Sequence, residues 1–207
     1  MQIAILAFDG MTALDAVGPA QVLAFVPDTS IVWTSPEAPG PRRTDAAMSI
    51  VATHALGDVP RPEVVLVPGG LDVRPVMADA RVLDWLRAVH ATTRWTTSVC
   101  TGALVLGAAG LLQGLRATTH WAMLDRLGRF GATPVSERVV VDDKVITAAG
   151  VSAGIDMALR LAARLAGDTV AQGIQLGIEY DPDPPFAGSP RTAPPAVVEA
   201  ARRALSS

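Results

Sequence analysis

The stretch EVVLVPGG, Glu63–Gly70, constrains the fold of this chain more than any other. Val64, Val65, Leu66 and Val67 follow one another without a polar residue, so a strand here has no face to offer water and must be covered on both sides. It closes on Pro68-Gly69-Gly70, which ends the ladder and turns the chain. QIAILAF (Gln2–Phe8) is built the same way and closes on the turn pair Asp9-Gly10. SIVWTS (Ser30–Ser35) and RWTTSV (Arg94–Val99) read as further strands, and MSIVATHA (Met48–Ala55) alternates loosely as another, after a loop over Pro36–Pro41.

Helical patterns separate these runs. TALDAVGPAQVLAFV, from Thr12, offers Leu14, Val17, Val22 and Phe25 to one broad face, with Gly18-Pro19 expected to bend or interrupt it. Helices are expected over Ala80–His90, over Gly102–Leu112 and through WAMLDRLGRF up to Gly131. ERVVVDDKVITAA (Glu137–Ala149) predicts a hairpin turning at Asp142-Asp143. SAGIDMALRLAARLAG is a strongly periodic helix, and Asp168 opens another that runs to about Glu179. DPDPPFAGSPRTAPP is expected to wrap over the domain, anchored by Tyr180 and Phe186, before a short helix at Pro195–Leu205. Strands alternating with helices of this length argue an α/β fold with a mainly parallel sheet, and no internal repeat marks a second domain, so 1–207 reads as one unit.

Composition narrows the function classes. With 207 residues, half of them hydrophobic, the chain can bury a full core without disulfides. A lone cysteine cannot form one internally, which fits a reducing, cytoplasmic setting. The net charge of -3 is mild, and Arg42-Arg43 and Arg202-Arg203 are the only adjacent basic pairs, too little for a nucleic-acid groove. No basic region and cleavage site precede Gln2, and no run of about 20 apolar residues suits a membrane span. The mean hydropathy of +0.35 suits a doubly covered sheet, and an apolar oligomer interface would raise it further.

In a parallel sheet, ligands bind at the carboxyl ends of the strands. Three segments lie there: Asp9–Asp15, Pro68–Gly70 and Cys100–Gly102. Cys100 falls at a strand-to-helix turn, where helix amides favour a thiolate; a partly exposed thiol of depressed pKa is expected. The plain alternative is a buried structural cysteine. Gly69-Gly70 reads either as an ordinary turn or as amides aimed at developing charge. Asp15 stands between Leu14 and Ala16, with Gly18 and Pro19 where a basic partner would sit at i+3 and i+4. An acid so placed is costly unless it is solvated or used. Asp156, near the start of a later helix, reads as an N-terminal helix charge. The histidines are His54, His90 and His120; no pair has metal-ligand spacing, so no metal is expected, and His120, at a strand end, is placed to face the same cleft.

DGMTALDAVGPAQVL, VVLVPGG, SVCTGALVLGAAGLLQGLRATTHW and GVSAGIDMAL, in this order, resemble the DJ-1/PfpI superfamily, and within it the isonitrile hydratase branch. SVCTG with RATTHW also occurs in regulators that carry the domain ahead of a helix-turn-helix region; no such region is expected after Ser207. The resemblance implies a flavodoxin-like three-layer sandwich (class I glutamine amidotransferase-like), usually a homodimer, acting on a small molecule without a cofactor. It assigns the nucleophile to Cys100, its acidic partner to Asp15, the neighbouring hydroxyl to Thr101 and the oxyanion turn to Gly69-Gly70. It carries no catalytic role to His120; His120 and Val151, the latter where the chain departs from close relatives, are candidate pocket residues. Many protease-like and glyoxalase-like members have histidine directly after the cysteine; here Thr101 stands there. The implied reaction is hydration of an isonitrile to an N-substituted formamide through a thioimidate. The alternatives are a glyoxalase or deglycase and a non-enzymatic thiol sensor or ligand-binding module.

Overall fold

A computed structural model of the chain describes residues 1–186 and 188–205. The strands are β1 (Gln2–Leu6), β2 (Ser30–Ser35), β3 (Gly40–Arg43), β4 (Ser49–Ala52), β5 (His54–Ala55), β6 (Val64–Val67), β7 (Trp95–Val99), β8 (Arg116–Ala117), β9 (Thr133–Pro134), β10 (Val139–Asp142) and β11 (Val145–Ala148). The helices are α1 (Ala13–Leu23), α2 (Arg74–Ala78), α3 (Ala80–Thr92), α4 (Gly102–Ala108), α5 (Ala153–Ala166), α6 (Asp168–Gly177) and α7 (Pro195–Ala204).

Seven strands form the central sheet in the order β10-β11-β7-β6-β1-β2-β5. Every neighbouring pair is parallel except the β10–β11 hairpin. The apolar runs of β1 and β6 lie at its centre, and Ile3, Ile5, Val64 and Leu66 are wholly buried, as strands without a polar face require. α1 packs on α5 and α5 on α6, while α2 and α3 pack on α4, which gives a layer of helices on each side of the sheet. This is the expected α/β three-layer sandwich.

From β1 the chain first builds outward through β2 and then returns to β6 on the opposite side, so the strand order reverses between β1 and β6. The registers Ile3↔Val64 and Val67↔Ser98 bring the carboxyl ends of β1, β6 and β7 side by side. A crevice at such a reversal is the ordinary ligand position in open α/β sheets.

Several local expectations change. Met48–Ala55 is not one strand: β4 pairs antiparallel with β3, part of which lies in the expected Pro36–Pro41 loop, and β5 joins the main sheet. α1 runs uninterrupted through Pro19, at the cost of the amide that would bond the Asp15 carbonyl. Gly18 lets α1 settle on α5, since a Cβ there would lie 3.1 Å from Ile155 Cγ1. The helix from Gly102 ends at Ala108, before the glycine pair Gly110 and Gly114 takes positive φ. Trp121–Phe130 coils as a 3₁₀ helix and stops, as expected, at left-handed Gly131. In the proline-rich segment Tyr180 is anchored, its hydroxyl donating to Asp156 Oδ1 at 2.6 Å, but Phe186 is 84% exposed and anchors nothing. Ala187 in that segment lies outside the described residues.

Candidate active site

Three loops converge at the crevice and are stitched by their backbones. Met11 bridges to both Gly70 and Thr44, and Thr12 N–H donates to the Gly69 carbonyl at 2.9 Å. α1 therefore starts directly against the Pro68-Gly69-Gly70 turn, which aims Asp15, in its first turn, at that turn.

Cys100 sits between β7 and α4 with φ +56°, a left-handed conformation that is strained for a residue with a side chain. The surroundings hold it there. Its N–H is shared between the carbonyls of Ala148 (3.1 Å) and Ala149 (3.2 Å), and its carbonyl accepts from Thr119 Oγ1 at 2.7 Å. Gly102 completes the elbow: a Cβ there would lie 2.1 Å from the Val67 carbonyl oxygen, so no other residue fits so close to the end of β6. Strand, strained turn and helix together form a nucleophile elbow.

Asp15 is fully buried. Its Oδ2 accepts from Gly69 N–H at 2.9 Å, and its Oδ1 has no partner among the described residues. The carboxyl pKa is pushed up from 3.8 to about 7, chiefly by loss of water; the Gly69 amide and the Cys100 thiol pull it down, and the charge of Asp45 adds a smaller push upward. Cys100 shifts the same way. Burial first, then the negative charge of Asp15, hold the thiol well above its ordinary range, and the Thr101 amide opposes them without prevailing. The expectation of a partly exposed, low-pKa thiol is therefore overturned: Cys100 is only 5% exposed, and burial outweighs one short helix N-terminus. At neutral pH the sulfur keeps its proton, and the carboxyl beside it is poised to exchange one.

Thr101 Oγ1 donates to the Gly70 carbonyl at 2.8 Å and accepts from Gly70 N–H at 2.9 Å. It fastens the glycine turn to the elbow and makes no hydrogen bond to Asp15. Both turn amides are thus engaged inside the site, Gly69 by Asp15 and Gly70 by Thr101. A side chain at Gly69 would lie 2.5 Å from Thr101 Oγ1, which explains the glycine.

Cys100, Thr101, Gly70, His120 and Val151 share the lining of one cavity of about 120 Å³ with Leu205, the residue after α7. Asp15 and Gly69 lie beneath that lining rather than on it. The His120 ring rests on Gly150, and its Nδ1 accepts from Ala122 N–H at 3.3 Å. Burial lowers its pKa, so the ring is neutral at neutral pH.

Sequence reasoning missed Asp45 and Thr119. Asp45 lines the same cavity and caps α1 from a distance, accepting from Thr12 Oγ1 at 2.7 Å and from Ala13 N–H at 3.2 Å. Its partners lie more than 30 residues away, so no local pattern marks it. Thr119 stands in the motif ATTH, but its role depends on a contact with Cys100 that only folding creates.

Comparison with known proteins identifies the family. The chain is 48% identical to the isonitrile hydratase of Pseudomonas putida over 206 residues, which cover 98% of this chain and 89% of that protein. It is 31% identical to the HTH-type transcriptional regulator CdhR of Pseudomonas aeruginosa over 116 residues, 55% of this chain and 34% of that one. The crystal structure of a ThiJ/PfpI family protein from Pseudomonas syringae superposes with a TM-score of 0.96 at 42% identity, covering 99% of this chain and 86% of that one. Drosophila melanogaster DJ-1beta, at 22% identity and a TM-score of 0.77, covering 86% of this chain and 97% of that one, shares the fold. The family model described as the DJ-1/PfpI family matches residues 1–164, a span that holds the elbow, the buried acid and the glycine turn: this chain belongs to the DJ-1/PfpI family.

Proposed function

We propose that this protein is an isonitrile hydratase-like enzyme that converts R–N≡C and water to R–NH–CHO by covalent catalysis at Cys100. The observation that carries the reading is the buried Asp15 carboxyl coupled to the elbow cysteine, in a chain 48% identical to an isonitrile hydratase along nearly its whole length.

The raised pKa values set the order of proton movements. Asp15, ionised, takes the Cys100 proton as the sulfur attacks the terminal isonitrile carbon. Protonated Asp15 then delivers that proton to the same carbon, and a thioimidate, R–N=CH–S–Cys, results. Water adds across its C=N bond, hydroxyl to carbon and proton to nitrogen, with the carboxylate as relay. The adduct loses its hydroxyl proton, the C–S bond breaks, the formamide departs and the sulfur recovers a proton. One carboxyl thus serves alternately as base and acid, which a pKa near the working pH favours. Thr101 acts as a positioning residue that holds the Gly70 turn against the elbow, and Gly69 steadies the Asp15 carboxylate.

The reading includes a homodimer in the cytoplasm with no nucleic-acid partner. It draws on the 50% hydrophobic composition, on the exposed side chains of Phe25 and Leu176, on the lone thiol and on the scattered basic residues. Among the described residues, no helix is long and apolar enough to cross a membrane.

The test is to follow formamide from an alkyl isonitrile and lactate from methylglyoxal, with Cys100→Ala as the blank. Cysteine-dependent formamide supports the reading. Lactate without formamide would transfer the protein to glyoxalase chemistry, and neither product would favour a thiol sensor.

A further inference from the structure

A second cavity of about 240 Å³, twice the size of the one above Cys100, is lined by the chain neighbours of His120 and Val151. Thr119 and Trp121, the residues flanking His120, line this larger cavity, whereas His120 itself lines the smaller one. The same alternation occurs on the facing loop, where Ala149 and Gly150 line the larger cavity and Val151 the smaller. The imidazole packs against Gly150, which lines the larger cavity, so closely that a Cβ there would be 2.3 Å from His120 Cδ2. The hydrogen bond from Ala122 N–H to Nδ1 and the Trp121 ring, 5.6 Å away between centroids, also hold the ring. Neither contact engages Cys100 or Asp15, and the proposed chemistry does not use the ring.

We propose that His120 is the partition between the two cavities and sets the upper size of the substrate's N-substituent. The proposal rests on the isonitrile reading for its substrate class but not for its geometry. With the ring in place, the group carried by the isonitrile nitrogen must fit the smaller space above Cys100. With the ring removed, the pocket continues into the larger cavity, whose wall combines the apolar Trp121 and Leu124 with the polar Ser136 and Arg138. Gly150 is part of the same device, because it leaves the ring room to form the partition.

Two readouts test it. The first is thiol alkylation by a small and a bulky iodoacetamide derivative, read by mass; the chain has one cysteine, so label absent from a Cys100→Ala control reports on Cys100. The second is kcat/KM for isonitriles with a methyl and with a bulky aryl substituent. His120→Ala is expected to raise the bulky-to-small ratio at least tenfold in both. His120→Phe, which keeps a ring of similar size but no nitrogen, is expected to keep the wild-type ratio. A folded His120→Ala protein, checked by circular dichroism, whose ratio is unchanged would overturn the proposal. So would a His120→Phe ratio that rises as far as that of His120→Ala, because the ring's polarity rather than its bulk would then be at work. Should no variant turn over any isonitrile while alkylation still shows the change in size limit, the isonitrile reading fails and the partition stands.

Discussion

Two aspartates open two helices of this protein, and their surroundings are opposite. Asp156, in the first turn of α5, is paired with Arg138 and accepts the Tyr180 hydroxyl at 2.6 Å, with its side chain 24% exposed. Asp15, in the first turn of α1, is fully buried, and among the described residues it has no ion-pair partner and one oxygen without a hydrogen bond. Both gain the same modest help from a helix N-terminus. The difference lies in what burial takes away. Asp156 retains water and gains an arginine, so its charge is compensated where it stands. Asp15 loses water and gains only the Gly69 amide and a thiol, so its charge becomes an unstable, exchangeable quantity. A helix-start carboxylate keeps its charge when it is compensated and holds its proton to higher pH when it is buried without compensation.

The largest expected effect is on turnover. Asp15→Asn should lower kcat/KM for an alkyl isonitrile by 10²- to 10⁴-fold, about 3–5 kcal/mol in the barrier, with folding intact by circular dichroism. Asp156→Asn should stay within threefold of wild type. Similar losses in both variants would erase the distinction between the two acids.

Stability should move the other way. Between the unfolded pKa of 3.8 and the folded value of about 7, native Asp15 holds a proton that the unfolded chain has released. Its contribution to stability is therefore fully present below 3.8 and is lost as pH rises through 7. That loss is about 4 kcal/mol at most. Asp15→Asn does not titrate, so its stability advantage over wild type should grow from pH 4 to 7 and then level off. An unpartnered amide offsets it by roughly 1–3 kcal/mol. Urea unfolding at pH 4.5 and pH 8 measures it, and a variant less stable than wild type by the same amount at both pH values would contradict the assigned burial cost.

A third expectation concerns the pH profile. The reactive pair carries one proton fewer than its fully protonated form, so kcat/KM should fall about tenfold per pH unit below 7. No alkaline limb should appear through pH 9, since the thiol loses its proton only at much higher pH. An acid limb near 4 would mean that Asp15 titrates like a solvated carboxylate. The smallest effect belongs to the other acid: Asp156→Asn should cost about 1 kcal/mol or less in urea unfolding, and part of that should disappear in high salt.

Much of this molecule is legible before folding. The unbroken apolar runs of β1 and β6 demand cover on both faces, and the alternating elements imply the rest of the sandwich. The places where local reading failed have a common cause. Met48–Ala55 alternates as one strand would, but β4 and β5 serve two different sheets, a choice made by partners elsewhere in the chain. Phe186 reads as an anchor because large apolar side chains usually bury, yet it stands 84% exposed. At Cys100, proximity to a helix start is a local property and pointed to a low pKa. Desolvation sums over every neighbour, and it reversed the sign.

Sequence by itself marked the candidates for the chemistry: one cysteine before a glycine that permits an elbow, an acid without a cation at i+3 or i+4, and a Gly-Gly turn closing an unbroken apolar strand. It could do so because these are statements about neighbours along the chain. Tertiary structure alone decided their state. The reversal of strand order brings Asp15, Gly69 and Cys100 together from three loops, Asp45 and Thr119 reach the site from distant segments, and the His120 ring closes over Gly150. Protonation, cavity size and hydrogen-bond occupancy all depend on how much water is excluded and by what, and that is a property of packing in three dimensions.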